Sequence, residues 1–216
     1  VHFHKVRFQI IYCYRGWVRV VYEDQGAPFV MYEGDCVLQP SGIRHRVLES
    51  APELEVIEVA SPGEHETFTD TDLELPTSVV DLQREYSGQC FVHHQANAAR
   101  WQSWWLPGFE SRDTGVAQAS KGLVSVQVAR LARNMEAEAC SHDGELMFFF
   151  VLQGEITLHC EGEGDSYINT ADAFTVPAGL PFVFSNPSKD LELLEVTLPA
   201  KHQIRHHQPE TLPEAR

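Results

Sequence analysis

Residues 2–16 read HFHKVRFQIIYCYRG and begin with two histidines separated by one residue. His2 and His4 lie two positions apart, so on a β-strand their side chains point to the same face of the sheet. Gln9 follows five positions after His4, which is an odd spacing. Strict alternation would place it on the opposite face unless the chain bends or bulges after His4.

Residues 34–45 read GDCVLQPSGIRH and end on a third histidine. His45 comes from a separate strand, after a turn that the Pro-x-Gly sequence at positions 40–42 favours. If the strands meet, three imidazoles and the amide oxygen of Gln9 converge. That set suits a divalent transition metal such as Fe, Mn, Zn or Ni, and the residues alone do not choose among these ions.

The two stretches resemble the two motifs of the cupins, a superfamily of β-barrel proteins. The first cupin motif is G-x5-H-x-H-x(3,4)-E-x6-G, and here His2, His4 and Gly16 match while Gln9 replaces Glu. The second is G-x5-P-x-G-x2-H-x3-N, matched through His45, with Glu49 in place of Asn. The resemblance implies a mononuclear metal site whose ligands are His2, His4, Gln9 and His45. The opening Gly of the first motif would precede Val1, so we expect upstream strands in the complete gene product.

Turn signals recur every 8–12 residues along the chain, and this spacing is typical of an all-β barrel or sandwich. The sequence also repeats itself. LEVIEVASP at residues 54–62 returns as LELLEVTLP at residues 191–199, and the motif positions align at offsets of 138 or 137 residues. The aligned pairs are His4 with His142, Gln9 with Met147, Gly16 with Gly154, Pro40 with Pro177, Gly42 with Gly179, and His45 with Phe182.

This repeat resembles a bicupin, two fused barrels of the double-stranded β-helix or jelly-roll type. We expect an N-terminal barrel over residues 1–64, a linker with connecting strands over 65–112, and a degenerate C-terminal barrel over 113–200. Residues 201–216 are polar and are expected to form a loosely held tail.

The second copy of the motif keeps its turn residues and loses its ligands. Cys140, His142, Met147 and Phe182 stand at the four ligand positions. We interpret this copy as structural or as an apolar pocket. A soft-metal site formed by Cys140 and His142 is the alternative.

Composition excludes several classes of partner. The 216 residues carry a formal net charge of -15, which disfavours nucleic acid and anionic membranes. No apolar run approaches the roughly 18–20 residues that a membrane span requires. The five cysteines show no paired spacing, which favours reduced thiols and a cytoplasmic protein.

The resemblance leaves three functions open. The first is a metal-dependent enzyme, dioxygenase-like, acting on a small acidic or chelating organic molecule. The others are an isomerase or lyase acting on a sugar acid, and a non-catalytic small-ligand binder or sensor. Because Gln9 is neutral, a divalent ion in this ligand set would keep its full charge, act as a strong Lewis acid and favour anionic substrates. Arg7 and Arg44 flank the ligands, and either could bind a substrate carboxylate or lie on a solvated face.

Association of two chains is also expected. Residues 8–14, FQIIYCY, are apolar at both alternating positions, a pattern that indicates burial on both faces of a strand. Cupin relatives commonly pair through such faces, so the resemblance implies a homodimer. Light scattering at micromolar concentration should give the mass of two chains, and a monomer would contradict the prediction.

Overall fold

The structure is a computed structural model that describes residues 1–207, and it divides the chain into two units. The first unit contains residues 1–99 and 115–121, and the second contains residues 100–114 and those from 122 onward. Each unit is built almost entirely of antiparallel strands. No helix within residues 1–207 is long and apolar enough to cross a membrane.

The first unit contains eleven strands, a short 3-10 helix at Ala96–Ala98 and one helical turn, α1, at Val116–Ala119. The strands are β1 (His2–His4), β2 (Phe8–Arg15), β3 (Trp17–Tyr22), β4 (Phe29–Tyr32), β5 (Cys36–Leu38), β6 (His45–Ser50), β7 (Glu55–Ser61), β8 (Thr67–Thr69), β9 (Glu85–Tyr86), β10 (Gln89–Cys90) and β11 (Val92–His94).

Two sheets form the body of the first unit. One has the strand order β4-β3-β6-β1-β8 and the other has the order β11-β5-β2-β7, while β9 and β10 form a separate hairpin. The chain leaves the first sheet after His4 and enters the second sheet at Phe8. This switch between sheets supplies the bend that the spacing of Gln9 required.

Up to residue 207, where the described part ends, the second unit contains eleven further strands. They are β12 (Trp101–Ser103), β13 (Phe109–Asp113), β14 (Ser125–Leu131), β15 (Ala139–His142), β16 (Leu146–Gln153), β17 (Glu155–Cys160), β18 (Gly164–Asn169), β19 (Ala173–Thr175), β20 (Phe182–Ser185), β21 (Glu192–Leu198) and β22 (Ile204–His207). They form a sheet of order β12-β13-β14-β21-β16-β19 and a sheet of order β18-β17-β20-β15-β22.

The two units share one pattern of strand pairing. In the first unit β2 pairs with β5 and β7, and in the second β16 pairs with β19 and β21 in the same way. Likewise, β1 pairs with β6 and β8, and its counterpart β15 pairs with β20 and β22. The repeat inferred from the sequence is therefore a repeat of topology. One difference is that β21 has β14 on its outer side, whereas β7 lies at the edge of its sheet.

Residues 65–112 were expected to form a linker with connecting strands. Of these, 67–69 and 92–94 extend the sheets of the first unit, while 101–103 and 109–112 extend a sheet of the second. Within the expected tail, Ile204–His207 pairs with β15, and residues 208–216 lie outside the described part. Strands this short carry little signal of their own, because the partner strand and not local propensity stabilises them.

The turn between β16 and β17 depends on Gly154. Its φ is +82°, and a Cβ there would lie 2.9 Å from Leu191 Cα and 3.0 Å from Leu191 N. Gly179 in the same unit has a φ of +77°, but a Cβ there would meet nothing within 4 Å. Both positions favour glycine by conformation, and only Gly154 is also crowded.

We predict that Gly154→Ala destabilises the protein more than Gly179→Ala. Both substitutions place alanine in the left-handed region, at a cost of about 1–2 kcal/mol. Gly154→Ala adds a backbone clash, which typically costs a further 1–3 kcal/mol or so. Urea unfolding followed by circular dichroism measures both variants, and equal midpoints would contradict the steric argument.

Candidate metal centre

Three histidines meet on one face of the first unit. His2 and His4 lie on β1, and His45 begins β6, where it is the direct cross-strand partner of His2. The ring centroids of His2 and His45 are 4.2 Å apart, and those of His2 and His4 are 5.1 Å apart. One nitrogen from each ring lies within 4.8 Å of the other two, a spacing at which a single ion can be bound.

Hydrogen bonds orient two of these rings. Nδ1 of His45 lies 3.1 Å from the carbonyl oxygen of Ile43, which can only accept, so this nitrogen carries the proton. Nδ1 of His4 lies 3.1 Å from the hydroxyl of Thr67 on β8. In His45 Nε2 is then unprotonated and available to a metal, an arrangement typical of histidine ligands, and in His4 Nε2 is the nitrogen that Thr67 leaves free.

Burial keeps the imidazoles in the neutral form that binds metals. It lowers the pKa of His45 to about 4. The pKa values of His2 and His4 are also lowered, mainly by burial. In His4 the neighbouring His2 and His65 add to the effect, while the carboxylate of Glu58 opposes it.

Gln9 lies in the wall of the same cavity as the histidines but on the facing sheet. It is 3% exposed. Its amide oxygen accepts a hydrogen bond of 2.9 Å from Gln39, and its amide nitrogen donates one of 2.7 Å to Glu58. An amide oxygen has a second lone pair, so the bond from Gln39 leaves it able to bind a metal. Its role as the fourth ligand stays a prediction.

The cavity above these residues has a volume of about 210 Å³ and mostly aliphatic walls. The apolar lining consists of Ile11, Val18, Val20, Met31, Val47, Leu54 and Val56. Val47 and Val56 are 55% and 44% exposed. The histidines therefore lie in an accessible cavity whose lining is largely apolar with a few convergent polar groups, the composition typical of small-molecule sites.

Several residues of the site were not identified from the sequence. Glu58 and Gln39 line the cavity, and the ring of His65 lies 5.1 Å from that of His4. The repeat contained a signal for Glu58, because Glu195 occupies the same place in the second copy. The flanking residue Arg44 instead pairs with Glu23 and Asp70, and its guanidinium packs over Phe3.

In the second unit, apolar side chains occupy the space of the site. Met147 and Phe182, the counterparts of Gln9 and His45, are fully buried in a core rich in phenylalanine. Nε2 of His142 donates to the carbonyl of Val176, and its Nδ1 accepts from the amide of Gly144. Burial raises the pKa of the Cys140 thiol to about 12. Both ring nitrogens of His142 are therefore already bonded within the unit, which disfavours the soft-metal site suggested for Cys140 and His142.

The second unit nevertheless buries one carboxyl group. Glu195 is 4% exposed and accepts hydrogen bonds from the indole nitrogens of Trp104 and Trp105, at 3.3 Å and 2.8 Å. Burial raises its pKa to about 7, and the indole donors partly offset that rise.

Comparison with known proteins identifies the fold. Residues 128–197 match the family model described as a cupin domain. The chain has a cupin fold. Among solved structures, oxalate decarboxylase from Bacillus subtilis is similar over 95% of this chain and 66% of its own, with 16% identity and a TM-score of 0.68. Another structure of that enzyme concerns its Mn(II) centres.

Two further solved structures show similar agreement. Salicylate 1,2-dioxygenase from Pseudoaminobacter salicylatoxidans is similar over 95% of this chain and 69% of its own, with 14% identity and a TM-score of 0.67. Procruciferin, an 11S globulin from Brassica napus, is similar over 95% of this chain and 74% of its own, with 10% identity and a TM-score of 0.66. No curated protein matches the sequence.

The family model and the histidine cluster fall in different units. The matched residues lie within the second unit, where Met147 and Phe182 replace Gln9 and His45, whereas the three clustered histidines lie in the first. The first unit has the same pattern of strand pairing as the second, and the agreement with each solved structure covers 95% of the chain.

We predict that the metal-free protein loses stability as pH falls from about 6.5 to 4. His45 has a pKa of about 4 when folded and an ordinary value of 6.5, so the unfolded chain binds more protons in this window. The contribution of neutral His45 to the free energy of unfolding is fully present above pH 6.5, and its complete loss amounts to about 3 kcal/mol. His2 and His4 act in the same direction.

His45→Phe is the comparison, because the second unit carries Phe182 at the same place. Urea unfolding at pH 7 and pH 4.5, in the presence of a chelator, should show a smaller pH effect in the variant. The same pH effect in both proteins would contradict the assignment.

Proposed function

We propose that this chain is a bicupin whose first unit is a mononuclear metal-dependent enzyme with dioxygenase-like chemistry on a small acidic or chelating molecule. The observation that carries the proposal is the convergence of three neutral imidazoles in an accessible aliphatic cavity. His2, His4 and His45 would hold the ion, with Gln9 as the fourth ligand. Three imidazoles and an amide oxygen suit Fe, Mn, Ni or Zn.

A divalent ion at this place would supply Lewis acidity toward chelating oxygens and, with Fe or Mn, redox chemistry toward dioxygen. The residues of the chain do the rest. The Ile43 carbonyl and the Thr67 hydroxyl fix the orientation of two rings, so that little rearrangement accompanies metal binding. The aliphatic walls hold the apolar part of a substrate and exclude water from the reacting end.

The cavity favours one kind of substrate. Its walls offer apolar contacts around a polar, metal-binding end, which fits a molecule with a carboxylate or an adjacent pair of oxygens on an apolar body. Two structures of similar fold are named for enzymes acting on small carboxylates, oxalate and salicylate. Of these, salicylate has the apolar ring that such walls would contact.

Two alternatives remain as outcomes of the experiment. A lyase is supported by the similarity to a decarboxylase, and a non-catalytic protein is supported by the similarity to an 11S globulin. A loaded metal site with oxygen uptake favours the dioxygenase. Product formation without oxygen uptake favours the lyase, and a metal-free protein favours the non-catalytic alternative.

We predict about one metal ion per chain. Elemental analysis of the purified protein should show it, and His45→Ala should lower the content to background because one of three imidazole ligands is gone. His159→Ala is the control, since His159 lies in the second unit and bonds to Asp165. Full metal content in His45→Ala would contradict the site.

Enzymatic activity should require the bound metal ion. We expect oxygen consumption by protein loaded anaerobically with Fe(II), assayed on a panel of hydroxybenzoates, diketones, uronates and oxalate. His45→Ala should lose this activity, while His159→Ala should keep it.

A further inference from the structure

Three hydrogen bonds connect the mouth of the cavity to its interior. Gln9 Nε2 donates to Glu58 at 2.7 Å, Gln39 Nε2 donates to Gln9 at 2.9 Å, and the Tyr22 hydroxyl donates to Gln39 at 2.5 Å. Glu58 is exposed, whereas Gln9, Gln39 and Tyr22 are all buried. All four residues line the cavity that contains the histidines.

The carboxylate of Glu58 determines the direction of this chain of bonds. An ionised carboxylate accepts hydrogen bonds and donates none, so Gln9 must present its NH2 group to Glu58. The oxygen of Gln9 then faces Gln39, which must present its own NH2 group. The oxygen of Gln39 is left to accept from Tyr22. One exposed carboxylate thus orients two buried amides.

Strand pairing brings Glu58 to this place. Ile11 on β2 is the cross-strand partner of Glu58 on β7, and Gln9 lies two residues from Ile11 on the same face. Gln9 and Glu58 are therefore diagonal neighbours across two strands, within reach of long side chains. The second unit has the same relation, with Phe149 opposite Glu195 and Met147 two residues away. There is no amide at Met147 for Glu195 to orient, and Trp104 and Trp105 bond to its carboxyl instead.

The cupin motif carries a carboxylate at position 9, and this chain has a neutral amide there. We propose that Glu58 supplies the missing negative charge to the metal site from the neighbouring strand and acts through Gln9, which it orients. Glu58 is a positioning residue in this assignment and not a ligand. The inference rests on the proposed metal site.

The carboxylate of Glu58 changes the expected net charge of the metal-bound site. With three imidazoles and an amide alone, a divalent ion would keep its full charge of two. The carboxylate of Glu58, one hydrogen bond away from Gln9, lowers the net charge to one. Because the pair lies partly out of water, its attraction for the ion exceeds the value in bulk solvent. The site then favours chelators with one negative charge over those with two.

Three variants and one control test the proposal. Glu58→Gln removes the charge and keeps the size of the side chain. The exchange variant Gln9→Glu/Glu58→Gln restores one carboxylate and preserves the bonding pattern, because Glu at 9 accepts from both neighbouring amides. Gln9→Glu alone places two carboxylates face to face. The control is Glu55→Gln on the same strand, which removes a carboxylate that pairs with Arg15 and does not line the cavity.

The measurement is the dissociation constant for Mn(II) and Zn(II) by titration calorimetry at pH 7.5, with folding checked by circular dichroism. Glu58→Gln should weaken binding about tenfold, the lower end of the effect of residues that orient metal ligands. The exchange variant should bind at least as tightly as the wild type, and Glu55→Gln should not differ from it. Gln9→Glu should gain less than the exchange variant, because its two carboxylates repel each other.

Two results would overturn the proposal. One is Glu58→Gln binding metal as tightly as the wild type and Glu55→Gln. The other is a folded exchange variant that binds metal as weakly as Glu58→Gln does. The lost negative charge would then not account for the lower metal affinity. Failure of the metal site itself would be distinguishable, since the wild type would then bind neither ion.

Discussion

The pairing of His2 with His45 across two antiparallel strands is the contact on which the candidate site depends. It fixes the distance between His2 and His45 and leaves His4 on the same face of β1 as His2. The short segment between His4 and Phe8 then carries the chain to the facing sheet, which brings Gln9 to the same cavity. One register and one change of sheet thus assemble residues that lie up to 43 positions apart.

The amide and the carboxylate at the candidate site belong to two different residues. Where the cupin motif has one carboxylate, this chain has an amide on β2 and a carboxylate on β7 joined by a hydrogen bond. The sequence suggested an uncompensated ion and a strong Lewis acid, and the structure places a negative charge nearby. With the proposed ion bound, such a division would let the metal and an incoming substrate respond to the same carboxylate without direct coordination by it.

The sequence predicted the all-β class, the repeat, most strands of the first unit and the meeting of three histidines, because spacing within a motif fixes which face each residue occupies. It did not reveal Glu58, since its position depends on the register of β7 against β2 and not on its own neighbours in sequence. For the same reason the short strand Thr67–Thr69 was expected only as an unlocated part of a linker with connecting strands, and Ile204–His207 was expected to lie in a loosely held tail. Their stability comes from a partner more than sixty residues away.

The buried carboxyl of Glu195 has a consequence for optical measurements on this protein. Its pKa of about 7 makes it exchange a proton close to neutral pH, within hydrogen-bonding distance of two of the four tryptophans. Indole fluorescence is sensitive to such a neighbour, so the emission of the second unit will vary with pH even when the histidine cluster is unchanged. A fluorescence titration in weak buffer would mix this signal with the response to metal, whereas Trp105→Phe reduces the second unit's share of the emission.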